Sequence, residues 1–441
     1  MKITFPGISQ NDFDYAIECM EACKQDEAKK YGFNYPYFTP GGAYGKQWWQ
    51  LDSSLALCGY KWIDRKFSEN SLWNFIESQK EDGRICLWGN DELPEVVAGG
   101  NRLKQIHGVS SLPKIFDATY HILQGSKDLN LKKSAYKMLK KYIDWWFSNR
   151  LDEETGLITS VFEETFIPYL GCSGEYAAVD TNTEVYVGCH YTELLAEELG
   201  EYSDATCLKE RKATLKESIN KYLWDSKKEA YYPYDIKEKR NVNCLMASTF
   251  NPLRLNIATA DKKEKLLKLL KDDEHFNWNK IPLTSVSKKD EIFTTTDGAY
   301  VGNASWSGNV WTLINEMVIR GLVDSCENEL AAELSLKTLY AFKSNCAEFI
   351  NPFDGEGHGV VKYAWTASQF TELIIEVIFG VKYLAKENKI VISPKLTREL
   401  KEQSLSIEGI EIAEGIKADI YIEKGKVSCI VSDKNTEVVY N

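Results

Sequence analysis

Leu112–Asn149 reads LPKIFDATYHILQGSKDLNLKKSAYKMLKKYIDWWFSN, and this stretch holds the unit from which the chain is built. Apolar residues recur at three- and four-residue spacing through Leu112–Leu123 and again through Leu131–Asn149, the period of helices that bury one face. Between them, Gly125–Asn130 has the Gly, Ser, Asp and Asn of a tight connection. Helices joined by so short a link lie antiparallel. The lysine-rich run Lys132–Lys141 alternates with apolar positions and reads as a solvated outer face.

The same pair recurs on both sides. Ser53–Trp62 is followed by Ser68–Gln79, and Thr183–Leu199 by Asp204–Leu223. Asn243–Ala258 precedes Asp261–Leu270, and Gly308–Gly321 precedes Cys326–Lys343. Asp12–Lys30 has no partner before it and Ala364–Phe379 none after it, so pairing these two closes a ring of six hairpins. Connections within pairs are short, as in Asp64–Phe67, Gly200–Ser203, Thr259–Ala260 and Leu322–Ser325. Those between pairs are long: Lys80–Ser111, Arg150–Asn182, Trp224–Val242, Lys271–Ser307 and Ser344–Tyr363. In a ring of antiparallel hairpins every long loop emerges at the same end, and long loops in compact domains are usually functional. The sequence thus predicts an all-α (α/α)6 toroid over residues 1–385, with one plain face and one crowded with loops. After Gly380 short β-branched runs appear, among them Lys389–Ser393, Ile416–Glu423 and Val427–Val431, separated by Gly and charged turns. They predict a small β-rich module at 386–441, packed on the barrel as a cap.

Composition narrows the function. A net charge of -12 without a basic stripe argues against nucleic acid. The start, Met1-Lys-Ile-Thr-Phe-Pro, is not read as a secretory signal, and no apolar window is long enough to span a membrane. Eleven cysteines without CxxC spacing, and five histidines, fit reduced thiols in the cytoplasm and argue against a zinc site or other cofactor. Nothing excludes a homo-oligomer. Aromatic residues are abundant, with 12 Trp and 24 Tyr. Their flat apolar faces and polar edges suit sugar rings, although many simply fill a helical core.

Four segments carry candidate chemistry, all in or beside long loops. Tyr37–Ser53 places a Pro-Gly-Gly turn and the aromatics Trp48 and Trp49 before Asp52. That Asp either caps the helix it begins or accepts hydrogen bonds from sugar hydroxyls, and both readings stay open. Thr159–Tyr169 contains the adjacent acids Glu163 and Glu164, followed by Asp180-Thr-Asn182. If one acid of the pair is buried beside the other its pKa rises, which suits a general acid; a surface acid pair is the alternative. Trp306 and Trp311 straddle a Gly-containing turn at the entry to a helix. In Ala347–Gly359, Asp354 and Glu356 read as turn residues, whereas Glu348 lies outside the turn and reads as functional.

PGGAYGKQWWQLDS resembles the PGG–aromatic–WDS signature of family 37 trehalases and family 63 glycoside hydrolases. SWSGNVW resembles their YWRGPVW, and EFINPFDGEGHG their ENYNPxTGEG. The resemblance runs from about residue 36 to 380 and is nearest to glucosylglycerate and mannosylglycerate hydrolases, six-hairpin glycosidases. It implies that Glu348 is the general base, that Asp52, Trp306 and Trp311 contact substrate, and that Asp180-Thr-Asn182 matches a VDLN segment. The chain departs from the pattern where the family acid is the Asp of ESGWD, since this loop reads FEETFIPY. Leu51 stands where the family has Trp, and Ser110-Ser-Leu112-Pro where it has Ser-Gln-Pro-Pro.

The expectation is an inverting exo-acting glycoside hydrolase for a small or oligosaccharide glycoside of α-linked glucose or mannose. Glu164 or Glu163 is its acid and Glu348 its base, with Trp49, Asp52, Asp180, Trp306 and Trp311 around the carbohydrate. Two rivals are a sugar epimerase or isomerase using His107, His190 or His358, and a carbohydrate-binding relative without catalysis. Apart from Arg102 and Lys104, basic groups for a carboxylate substrate are not evident in the motif loops.

Overall fold

A computed structural model describes residues 1–89, 108–161, 163–167, 175–295 and 304–441, with side chains at all of them except 43, 304 and 305. The expected pairs appear as α2 (Gln50–Tyr60) with α3 (Arg65–Ser78), α4 (Ile115–Gln124) with α5 (Leu129–Asn149), and α6 (Val179–Leu199) with α7 (Tyr202–Ser218). Local chemistry sets their ends. Asp64 and Asp128 accept hydrogen bonds from the backbone N–H groups of Phe67 and Leu131, capping α3 and α5. Gly200 closes α6 in the left-handed conformation that a residue without Cβ adopts freely.

The fourth pair is less regular than its sequence period suggests. Ala247–Asn256 forms a 3₁₀ segment with Pro252 inside it, and Arg254 and Leu255 leave helical backbone angles. Proline removes a helical donor and crowds the preceding turn. The freed Leu255 N–H bonds Asp324 Oδ2 at 3.1 Å instead. The segment is followed by α8 (Ala260–Leu270), a one-turn α9 (Asp273–Phe276), then α10 (Thr312–Asp324), α11 (Asn328–Phe342) and α12 (Ala364–Glu372). The first helix, α1 (Gln10–Ala22), is shorter than Asp12–Lys30. Beyond it Lys24–Gln25 pairs with Tyr37–Phe38 as a two-stranded ribbon.

Packing follows burial. Every residue of α2 and of α12 is buried, as befits helices surrounded by other helices. α2 packs on α4, α4 on α6, α6 on Ala247–Asn256, that segment on α10, α10 on α12, and α12 back on α2. α1 packs on α12, and α3, α5, α7, α8 and α11 lie against these inner elements from outside. The inner elements share a buried ionic network: Lys114 Nζ lies 2.6 Å from Asp117, 3.6 Å from Glu184 and 3.5 Å from Glu316.

The C-terminal strands Ser404–Ala413, Ile416–Glu423 and Lys426–Val431 form an antiparallel sheet, with Ala418, Ile420 and Ile422 alternating inward. Its outer strand is Lys2–Thr4, residues the sequence reading groups with the helices, with Ile3 opposite Ile407. A second sheet joins Val381–Leu384, Lys389–Ile392 and Glu437–Tyr440. Among the described residues no helix is long and apolar enough to cross a membrane.

Candidate active site

The four motif segments converge where the inner helices begin. The Pro-Gly-Gly turn packs backbone to backbone against the segment after Glu348: Ala364 N–H donates to Pro40 O at 2.9 Å. A Cβ on Gly41 would lie 2.6 Å from Lys362 O, so only glycine permits this approach. Val310 and Ile350 exchange backbone hydrogen bonds at 2.9 and 3.0 Å, tying the Trp306–Trp311 turn to the Glu348 strand. Phe166 stacks on Trp306 with centroids 4.5 Å apart, bringing in the Glu163 loop.

Three carboxyl groups, those of Glu348, Asp52 and Glu163, lie within electrostatic reach of one another here. Glu348 precedes the strand Phe349–Ile350, which pairs with Gly357–His358. Its Oε1 accepts from the Tyr44 hydroxyl at 2.8 Å and its Oε2 from Val360 N–H at 3.1 Å. Asp52, in the first turn of α2, is buried and accepts from the Tyr363 hydroxyl at 2.8 Å. Burial pushes its pKa up to about 8 against the pull of that hydroxyl, and the charges of Glu348 and Glu163 add to the rise. Glu163 is half-buried, and its φ of 66° is a left-handed conformation unusual for a residue with a side chain. Burial, then the charge of Glu348, pushes it up to about 7. Carboxyls coupled in this way cannot all ionise at neutral pH.

Glu164 sits in a different environment from its neighbour. It is fully buried, and its two oxygens receive Arg150 Nη2 and Nε at 2.8 Å each, a two-pronged ion pair. Ser110 N–H and Val161 N–H complete its shell at 3.0 and 3.1 Å. Arg150 also donates to Gly108 O at 2.6 Å, and Leu112 N–H to Glu163 O at 2.8 Å. The clamp thus fixes the loop that presents Glu163. Asp180 braces it from below, accepting from Thr165 Oγ1 at 2.8 Å, Phe166 N–H at 2.8 Å and Thr181 N–H at 2.8 Å. Asn182 pins Ile158 through both its backbone groups.

The aromatic residues form a column. Trp306, half-buried, lies on the buried Trp311 with centroids 3.6 Å apart and planes 8° from parallel. Trp311 stacks in turn on Phe349 at 4.5 Å. Trp49 belongs to a separate small cluster with Leu87, Val109 and Val161, edge-on to Tyr44 at 5.7 Å. Asp354 and Glu356 are exposed in the 351–356 turn, where Asp354 Oδ1 accepts from Glu356 N–H at 2.9 Å.

His107, Arg102 and Lys104 lie outside the described residues. His190 contacts Lys212 of α7 at 3.3 Å, and His358 stacks beside Phe349 at 6.0 Å. No group of three His, Cys, Asp or Glu among the described residues is placed to hold a metal. Sequence reasoning singled out neither Tyr44, Tyr363 nor Arg150. Tyr44 lay inside a quoted motif, and Tyr363 immediately before the last helix. Arg150 followed a helix end and carried no local sign of its role.

Comparison with known proteins bears on this arrangement of inner helices, acids and stacked rings. Residues 168–366 match the family model described as a mannosylglycerate hydrolase MGH1-like glycoside hydrolase domain, so this part of the chain is similar to glycoside hydrolases of that kind. A mannosylglycerate hydrolase of Rubrobacter radiotolerans is 25% identical over 186 residues, 41% of this chain and 40% of that protein. The chain spans less than half the length of the curated relatives it matches. The GH63 mannosylglycerate hydrolase of Thermus thermophilus, solved with Tris, superposes with a TM-score of 0.68 at 17% identity, covering 82% of this chain and 99% of that one. Neutral trehalase from Saccharomyces cerevisiae gives 0.59 at 15% identity, covering 77% and 73%. These structural likenesses concern the fold.

Proposed function

We propose that the chain is an inverting, exo-acting glycoside hydrolase built as a closed (α/α)6 toroid, acting on a small glycoside of α-linked mannose or glucose. The return of α12 onto α2 supports the ring. The observation that carries the mechanism is the unequal treatment of three electrostatically coupled carboxyls. Glu348 accepts hydrogen bonds from the Tyr44 hydroxyl and Val360 N–H, which favour its charged form, whereas Glu163 is pushed toward its neutral form. Glu163 protonates the leaving oxygen, and Glu348 takes a proton from the water that attacks the opposite face of the sugar. Inversion requires these carboxyls roughly 6.5–9.5 Å apart, leaving room for that water. Asp52 binds hydroxyl groups, Trp306 offers the exposed end of the ring column, and Glu164 and Asp180 position the acid loop. A cytoplasmic setting fits the ten free thiols among the described residues.

The test is incubation with mannosylglycerate, glucosylglycerate and aryl α-glycosides, following the first-formed anomer by NMR. Release of the β-anomer from an α-glycoside supports the reading. Retention of configuration, or near-normal turnover by Glu348→Gln, overturns it; that variant should lose about 10²–10⁴-fold. Of the histidines on which the epimerase reading rests, His190 contacts Lys212 of α7 and His358 lies beside Phe349; loss of turnover in His358→Ala but not in Glu348→Gln would favour that reading.

A further inference from the structure

Three buried thiols gather behind the Glu348 segment. Cys19 lies in the last turn of α1 and Cys23 at its C-terminal cap, four residues apart and so on one face. Cys346 stands two residues before Glu348, and all three are buried. Cys23 spends its S–H on backbone carbonyls, donating to Lys362 O at 3.5 Å and Pro40 O at 3.8 Å. These are the two segments that meet at Gly41, and burial pushes the Cys23 thiol up to about 12. Its duty is structural. The three thiols are not placed to hold a metal ion.

Cys19 and Cys346 are in contact and differ in kind. The Cys346 thiol donates to Cys19 Sγ, and so does the Tyr15 hydroxyl one turn earlier on α1. Those two donors and the Lys362 ammonium outweigh burial and hold the Cys19 thiol below its usual range. The Cys346 thiol, engaged with Cys19 and buried, is held well above it. A thiolate-prone sulfur against a second thiol is the pairing of an attacking and a resolving cysteine. The cover over the pair is thin: Tyr15 is half-buried, Lys362 is exposed, and Lys343 and Ser344 just before Cys346 are exposed. Hydrogen peroxide, little larger than water, reaches such thiols through local opening, whereas a bulky disulfide does not. Cys346 is also tied to the site. Its carbonyl accepts Tyr363 N–H at 2.8 Å, and Glu348 N–H donates to Val360 O at 2.8 Å. Moving Cys346 therefore moves the segment that presents Glu348.

We propose that Cys19 and Cys346 form a peroxide-oxidised thiol pair whose disulfide ties α1 to the Glu348 segment and slows turnover. The Cys19 thiolate attacks one peroxide oxygen, the O–O bond breaks, and the released hydroxide takes up a proton and leaves as water. Cys346 then gives up its proton and attacks the sulfur of the Cys19 sulfenic acid, expelling its hydroxyl as a second water. The two sulfurs lose two electrons, and the peroxide gains them. A covalent S–S bond draws the sulfurs inside any non-bonded contact, and a shift of the order of 1 Å at a catalytic group costs about 10²-fold. The loss of turnover rests on the glycosidase reading; formation of the bond does not. The full chain is treated with hydrogen peroxide and, separately, with oxidised glutathione; free thiols are then alkylated and the peptides read by mass spectrometry. A Cys19–Cys346 linked peptide from peroxide, reversed by dithiothreitol, is expected, without a glutathione adduct at either residue. Glycoside turnover of the wild type should fall about tenfold or more on linkage and return on reduction, while Cys346→Ala keeps its turnover in peroxide. Oxidation confined to the exposed Cys207 and Cys326, or linkage without loss of turnover, overturns the proposal. A reduced chain that hydrolyses no glycoside sinks the glycosidase reading and leaves the linked peptide to decide the thiol pair.

Discussion

Glu163 and Glu164 are chain neighbours, yet replacing each by Gln should move stability in opposite directions. Glu163 is raised from 4.5 to about 7 in the folded chain, so ionising it there costs about 3 kcal/mol more than in the unfolded chain, at roughly 1.4 kcal/mol per tenfold change in proton affinity. With part of the carboxyl open to solvent, about 1–2 kcal/mol is the realistic share. The folded state binds the proton more tightly, so stability is full below pH 4.5, falls as the pH climbs through 7, and is level above it. Glu163→Gln removes that loss: it should be close to neutral near pH 4.5 and stabilising by about 1–2 kcal/mol at pH 8. Glu164→Gln instead leaves Arg150 buried beside a neutral amide, and breaking a buried pair costs about 3–5 kcal/mol. At about 2.1 cal/mol/K of unfolding entropy per residue, a chain of 441 residues shifts by about 1 °C per kcal/mol. Differential scanning calorimetry at pH 8 should therefore find Glu163→Gln about 1–2 °C above wild type and Glu164→Gln about 3–5 °C below it. Equal melting of wild type and Glu163→Gln at both pH values would refute the burial-driven protonation of Glu163. A Glu164→Gln protein as stable as wild type would refute the clamp.

Tyr44→Phe removes one donor to Glu348 and should raise that carboxylate's proton affinity. Turnover should fall about tenfold and the acidic limb of the kcat/KM profile should move to higher pH; an unmoved limb would mean that the hydroxyl does not tune the base. Because the acid must carry its proton and Glu163 titrates near 7, kcat/KM should fall above about pH 7. A profile flat to pH 9 would exclude Glu163 as the acid. Gly41→Ala drives a Cβ to within 2.6 Å of Lys362 O and should cost about 1–3 kcal/mol. Activity should drop with it, because the Tyr44 and Glu348 loops must part; full activity would show that the close approach is dispensable.

The helix pairs were legible because a period of 3.6 residues survives in the sequence wherever one face is buried, as in Leu112–Asn149. The same period misled at Asn243–Ala258, where Pro252 breaks the backbone without breaking the apolar pattern. Two-residue strands such as Leu151–Asp152 with Leu157–Ile158 are too short to leave an alternating pattern. At the site, Glu348 stood out because it precedes a turn whose other acids had turn duties. Glu163 and Glu164 could not be separated, because what distinguishes them comes from elsewhere in the chain: Arg150 at a helix end and the Ser110 N–H. The edge position of Lys2–Thr4 depends on a partner strand near residue 407, which no local window contains.

The contrast among the three coupled carboxyls also bears on how the proposed reaction would run without the Asp of the ESGWD motif. A general acid needs no particular place in a motif; it needs a proton at working pH and an aim at the leaving oxygen. Hydrogen-bond donors to a carboxylate favour its charged form, whereas burial and neighbouring acids favour the neutral one. Glu348 has the Tyr44 hydroxyl and Val360 N–H, Asp52 has the Tyr363 hydroxyl, and Glu163 has no side-chain hydrogen bond among the described residues. Asp52 near 8 holds a proton as well, and a neutral carboxyl both donates to and accepts from a sugar hydroxyl, as a binding group must. The left-handed backbone at Glu163, costly in isolation, is held by the Arg150–Glu164 clamp, and strain kept at one loop residue beside two other acids is the pattern of a functional position.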